Sequence, residues 1–439
     1  MPPVFPTPPP LSGRAHARGY RGAVKHRLLD VRPLRVSPAY RRLWLGTSLS
    51  AVGGQIASVA VLFQVWEMTH SPVWTGAVGL ARAVPLVLLG LVGGALADSV
   101  DRRVLVRWTM LAQLVAALGL AAQALLRVDS LGLLLLLVAT QAGFGALGAP
   151  AQRTFPVRLL GRELVAAGIA LQHLSFQAAM LVGPALAGVV LGQWGLTPAY
   201  LVQAVASLAA LYAVVRLPAM PPTGAPSGRG PRAVVEGMRY IARSRVVSGL
   251  YVTDLVATLL AMPIALFPVI NEERFGGNPE TLGLFLSAVA VGGVLAGFAS
   301  GTVTRSDRPG AVQLWAAGTW GAALAVFGMV GPLWSALAAL VVAGAADTVS
   351  VISRGAAVQL ATPDSHRGRV TSVEHVIGVA GPEIGNFRAG VVAGATSAAF
   401  AATLGGLACL VGIVVVAATN RELRRFRISR DIPTPDDAA

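Results

Sequence analysis

The chain has 439 residues, of which 54% are hydrophobic and only 13% charged, with a formal net charge of +15. A soluble domain carries about a quarter charged residues, so this composition excludes an ordinary water-soluble core and calls for lipid around the protein. The 50 glycines suit helices packed closely in a bilayer, and no phosphate-binding loop, zinc-ligand cluster or HExxH motif supports nucleotide hydrolysis or metalloenzyme chemistry.

In chain order, residues 1–42 are rich in Pro and Arg and lack the apolar core of a cleavable signal. They are expected to form a disordered cytoplasmic tail. A helix needs ~20 mostly apolar residues to cross the hydrocarbon core. Runs near 43–65, 74–97, 104–126, 131–151, 164–191 and 196–217 predict a first six-helix bundle over 43–217. A Pro- and Gly-rich cytoplasmic linker follows at 218–246, where Val234–Arg245 could form a short interfacial helix. Runs near 247–270, 281–303, 311–330, 333–357, 371–391 and 395–418 predict a second bundle over 247–418, with a cytoplasmic tail at 419–439. The one cysteine, Cys409, lies in the last span and reads as packing.

Charge tests this layout, because Lys and Arg collect in cytoplasmic loops. With both termini inside, 31 of the 35 basic residues fall on the inner side, including Arg354 after span ten. Only Arg127 and Arg274 fall outside, while Arg82 and Arg388 lie within spans. The net charge therefore reads as orientation charge beside anionic lipid, without nucleic acid as a partner. A linker between two groups of six spans fits an all-α membrane protein built from two related six-helix bundles. Gly161-Arg162 and Gly368-Arg369, each opening a span that holds a Gly-Pro pair, give a weak internal repeat.

Between spans two and three runs Gly93-Gly94-Ala95-Leu96-Ala97-Asp98-Ser99-Val100-Asp101-Arg102-Arg103. The two glycines allow close helix approach. Asp98 beside Arg102 and Arg103 at the membrane surface can form a charge lock that breaks when helices rock, or can be a solvated turn. The stretch resembles the signature cytoplasmic loop of the major facilitator superfamily, through Gly94, Leu96, Ala97, Asp98, Arg102 and Arg103, with Asp101 where Gly is usual. The second-half counterpart, 301–308, is degraded, with Arg305 near the expected acid. In span five, Gly183-Pro184-Ala185-Leu186-Ala187-Gly188 resembles the antiporter element of that superfamily, which is associated with export. Ser37-Pro38-Ala39-Tyr40-Arg41, Met68-Thr69-His70-Ser71, Thr362-Pro363 and Glu422–Arg427 extend the resemblance to the twelve-span drug:proton antiporter branch. The pattern as a whole is most similar there to its siderophore (enterobactin) exporter group, with a macrolide and tetracycline group close by.

Ionisable groups inside a span cost at least ~2.5–3.5 kcal/mol on insertion scales, so they are functional candidates by default. Here they are Arg82, Asp254, Asp347, Glu383 and Arg388, with Glu374, His375 and His173 nearby. Asp254, Asp347 and Glu383 are candidate proton carriers, or helix-packing contacts in the case of the first two. Arg82 and Arg388 would pair with these acids or hold an anionic substrate. Asp347 and Arg354 are seven residues apart, two turns along one face, which suggests a cavity-lining stripe. Arg388 is five residues from Glu383, a poor spacing for a same-helix pair, so its partner belongs on another helix. Gln55, Gln64, Gln141, Gln177, Gln203 and Gln359 are possible cavity donors.

The expected function is that of a monomeric inner-membrane exporter working by alternating access. It would exchange protons for a siderophore or, alternatively, a range of drugs, and need the proton motive force but no cofactor or metal. A polytopic membrane enzyme or receptor is a minor alternative, because the acids are dispersed and no soluble domain interrupts the spans.

Overall fold

The structure, a computed structural model, describes residues 30–221, 231–301 and 306–427. Among these described residues, twelve long helical segments run through the molecule. Spans one to six are Pro38–Thr69, Pro72–Ser99, Arg102–Leu125, Leu131–Gln152, Arg162–Trp194 and Leu196–Val215. Span seven is broken into Arg245–Ala261 and Phe267–Phe275. Spans eight to twelve are Pro279–Phe298, Pro309–Met329, Leu333–Ala361, Asp364–Ala395 and Ala398–Thr419. Eleven of these are long and apolar enough to cross a membrane. Span eleven is long enough at 32 residues, but Glu374, Glu383 and Arg388 lower its hydropathy, and all three point to partners inside the bundle.

Local chemistry sets the helix ends. Proline at a first helical position opens spans one, two, eight and nine, where its missing N–H costs nothing. Serine hydroxyls at Ser37, Ser130, Ser244 and Ser397 accept the first orphan amides of spans one, four, seven and twelve. Spans five and six are joined by Gly195 alone, at φ +81°, a left-handed turn that residues with a Cβ rarely adopt.

In the first half, Tyr40 and Trp44 of span one donate to the Gly168 and Leu171 carbonyls of span five at 2.6 and 3.1 Å. In the second, Phe267, Phe285 and Phe327 pack edge to face with centroids 5.5–5.6 Å apart. The two halves meet along span two against span eleven and span five against span eight. This seam is tightest on the side away from the termini. There Gly390 lies against the Pro72 carbonyl and Gly76, Gly188 against the Glu280 backbone, and Ser287 donates to the Leu181 carbonyl at 3.2 Å. Gly183, Pro184 and Gly188, the antiporter-like element, lie on this face: the Pro184 carbonyl and Gly188 touch Gly283 of span eight.

A side chain at position 390 would collide with the span-two backbone. Gly390→Leu is therefore expected to part the seam. In a Cys409→Ser background, a cysteine at Gln177 should then be labelled severalfold faster by an impermeant maleimide from that side. Unchanged labelling would show that the seam does not depend on this contact.

The linker helix, Pro231–Arg243, packs on the second half. Glu236 pairs with Arg369 at 3.0 Å, and Tyr240 stacks on His366 with centroids 4.6 Å apart. The 301–308 segment is described only at its ends, so Arg305 lies outside the described residues.

Candidate functional site

A cavity of about 470 Å³ lies between the halves. Its first-half wall carries Gln55, Ser58, Arg82 and Gln177, one cation among neutral hydrogen-bonding groups. Its second-half wall carries Asp254, Asp347 and Arg354. Arg354 and Asp254 are 6% and 8% exposed and form an ion pair, with Glu374 at 4.0 Å from Arg354 Nε. Asp347 sits two turns away on the same face of span ten, open to the cavity. Two acids thus share one guanidinium, with a third on the same wall.

The second ion pair crosses between the halves. Arg82 Nη1 of span two lies 3.9 Å from Glu383 Oε1 of span eleven, with the two side chains 24% and 20% exposed. One turn away, Gly79 rests on the Glu383 carbonyl, so absence of a side chain lets the helices come close enough for this pair. Asn386 Nδ2 lies 3.5 Å from the other Glu383 oxygen. On its first-half side Arg82 also lines a pocket of about 330 Å³ with Gln55, Gln113, Gln141 and Gln203. There the Gln141 and Gln203 amides bond each other at 3.0 and 3.5 Å. Behind them Gln64 accepts from Tyr200 Oη at 2.7 Å and Gln123 Nε2 at 3.3 Å.

Span seven is expected to run unbroken over 247–270, but it unwinds at Met262-Pro263. Pro263 brings no N–H and crowds the preceding turn. Freed backbone groups in a membrane need new partners. Span eleven supplies both: Arg388 Nη2 donates to the Leu260 carbonyl at 2.5 Å, and Asn386 Oδ1 accepts from the Ala265 amide at 3.2 Å. Met262, Pro263 and Ile264 therefore present irregular backbone to the cavity.

Of the charges singled out from sequence, Arg82 meets Glu383, and Asp254 and Asp347 share one wall. Arg388 finds its partner on another helix, as its spacing predicts, but with a correction: that partner is the Leu260 carbonyl of broken span seven and not an acid. Arg354 is a second correction. Span ten runs to Ala361, so Arg354 lies inside the span as a cavity cation and not in a loop. Gln359 is exposed away from the cavity, and His173 is exposed on span five. Asn386, Gln113 and Gln123 are additions that single-residue scanning of charges does not find.

The Gly93–Arg103 segment is also redistributed. Gly93 does pack on span four, 2.6 Å from an added Cβ to the Leu147 carbonyl, but Gly94 faces open space. Asp98 is half-buried at the end of span two. Asp101 caps span three, accepting from the Arg103 and Val104 amides at 2.8 and 3.3 Å and from the Met220 amide at 2.9 Å. Arg103 and Arg107 donate to the Leu217 and Val215 carbonyls, at 2.5 and 2.6 Å, where span six ends. Cations there complement the helix dipole. Asp101, Arg103 and Arg107 therefore tie the loop to the exit of span six within the first half. Asp101→Ala removes three acceptor bonds and is expected to cost about 1–2 kcal/mol, read as a lowered melting temperature in detergent. An unchanged melt would refute this tie.

A family model described as transmembrane secretion effector matches residues 30–434. Relatives named enterobactin exporter EntS, from Escherichia coli O1:K1 / APEC and Shigella boydii serotype 18, are 27% identical over 415 residues. The match covers 94% of this chain and 99% of each relative. A solved bacterial homologue of the lysosomal transporter Spinster, inward-facing and unoccupied, matches with a TM-score of 0.69 at 16% identity, covering 91% of this chain and all of that one. A bacterial homologue of the iron transporter ferroportin, inward-facing, matches with a TM-score of 0.65 at 16% identity, over 87% and 98% of the two chains.

Proposed function

Because the chain belongs to the transmembrane secretion effector family of the major facilitator superfamily, and is thereby a multi-pass membrane transporter and not an enzyme, we propose that it exports a siderophore of the enterobactin type in exchange for protons. The observation that carries this reading is the Arg82–Glu383 pair between the halves, beside an amide-lined pocket.

An oxygen-rich, polyhydroxyl ligand matches these groups. Its hydroxyls donate to ionised Glu383 and Asp347, and its oxygens accept from Arg82 and the glutamine amides. A proton on either carboxylate removes that acceptor. Proton and ligand then compete for the same groups, and by linkage each weakens the other's binding by the same factor. Competition of this kind is what exchange needs. With both termini in the cytoplasm, ligand loads from the inner side where the acids are ionised. It leaves on the outer side as protons arrive, and each charge moving inward contributes about 2.3 kcal/mol per 100 mV. Asp254 and Glu374, paired to Arg354, stand next to this exchange point and complete the acid set. The antiporter-like Gly183–Gly188 element and its contacts with span eight form the outer seam that opens on release.

The test is uptake into inside-out membrane vesicles energised to acidify their lumen. Enterobactin should accumulate, and collapsing the proton gradient should stop it. Accumulation of a macrolide or tetracycline in place of enterobactin would make the protein a drug exporter.

A further inference from the structure

Spans nine and twelve do not close fully on one another over the half of the membrane nearest the termini. Between them lies a groove of about 410 Å³. It follows span nine from Ala311 to Ala322, which at 1.5 Å per residue is about 16 Å. Half of a ~30 Å hydrocarbon core is about 15 Å. The groove is therefore as long as one leaflet is deep. Its lining is apolar except for Thr319 and, at the end nearest the termini, Arg424.

Arg424 stands on the short tail helix Arg421–Arg425, which is anchored by Leu423, fully buried against the Gly310 backbone. The surroundings are mostly basic: Arg421 and Arg425 share the helix, and Arg308 caps span nine beside the acid Asp307. The helix's acid, Glu422, is engaged with Arg245 at 3.2 Å. Trp315, 80% exposed, flanks the groove near this end, where indole rings favour the headgroup level. A slot one acyl chain deep that ends at Arg424, on a helix with two further arginines, has the charge and length of a phospholipid and not of a second protein helix.

We propose that this groove holds an acyl chain of an anionic glycerophospholipid, with the lipid phosphate on Arg424. Such a lipid fixes the tail helix against span nine and is specific for charge because the mouth of the groove is basic.

The test uses the full-length transporter, released from nanodiscs of phosphatidylglycerol or of phosphatidylcholine with the same chains, and counts retained lipid by native mass spectrometry. Arg424→Gln removes the headgroup contact. Gly318→Leu fills the groove, and a Cβ at 318 meets only Leu410 Cδ2 at 3.9 Å, so the backbone is undisturbed. Arg424→Gln should retain about fivefold less phosphatidylglycerol, the effect of one arginine at an anionic surface, and Gly318→Leu should retain less of it by excluding the chain, while Arg427→Gln should retain as much as the unmodified protein. Equal retention of the two lipids, or unchanged phosphatidylglycerol in both variants, would overturn the proposal. So would a dimer that Gly318→Leu converts to monomer, which would make the groove a subunit interface.

Discussion

Replacing Glu383 with Gln is expected to leave the chain folded in the membrane, weaken enterobactin binding about 10–100-fold, and abolish proton exchange. The reasoning starts from the neighbours of this carboxylate. It faces Arg82 across the seam at 3.9 Å and has Asn386 beside it. An amide in its place keeps an oxygen that Arg82 and Asn386 can use, so the packing of spans two and eleven survives. What is lost is the ionised acceptor. Hydrogen bonds to charged groups contribute about 1.5–3 kcal/mol, which is roughly 10–150-fold in affinity. Proton exchange falls further than binding, because an amide cannot take up a proton at all. Binding by calorimetry and uptake in inside-out vesicles separate the two effects. Full pH-dependent uptake by the variant would remove Glu383 from the proton path.

The second large effect concerns stability. Asp254 and Arg354 are both buried and joined. Removing one partner of such a pair leaves an uncompensated charge and costs about 3–5 kcal/mol, whereas replacing both by apolar residues of similar size is often close to neutral. Arg354→Met should therefore leave Asp254 and Glu374 without their shared cation and lower the melting temperature markedly. Asp254→Leu should do the same by leaving Arg354 with Glu374 alone, at 4.0 Å. The double variant should recover most of the loss while failing to transport. Losses that simply add in the double variant would mean that the two residues act separately.

Much of this arrangement is legible in the residues themselves, for reasons that differ by feature. Eleven of the spans follow plainly from hydropathy, because lipid leaves the backbone few alternatives to helix. The seven-residue step from Asp347 to Arg354 correctly places both on one cavity-facing stripe, although position near the end of an apolar run assigns Arg354 to a loop. The span extends to Ala361 and carries it inside. The break in span seven is only half legible. Pro263 announces an interrupted helix, but nothing in the spacing says that Asn386 and Arg388, more than 120 residues later, satisfy the freed groups. Arg388 therefore reads as the partner of an acid or a substrate, when the group it meets is a backbone carbonyl. Gly94 and Gly93 are equivalent as letters, and only their helix face separates the one that packs from the one that does not. The glutamine network is hidden for a related reason. Amides carry no charge to mark them, and their pairing depends on which helices are neighbours.

The central claim is that proton and ligand compete for the carboxylates at the seam between the halves. It is tested most directly by adding enterobactin to the purified transporter in weakly buffered solution near pH 6.5, with a pH-sensitive dye and ligand-only controls. At that pH phenolic hydroxyls, with values near 10, stay protonated on the free ligand. The account predicts that binding releases protons, and that Glu383→Gln releases measurably fewer. Binding without proton release, or with proton uptake, would contradict it.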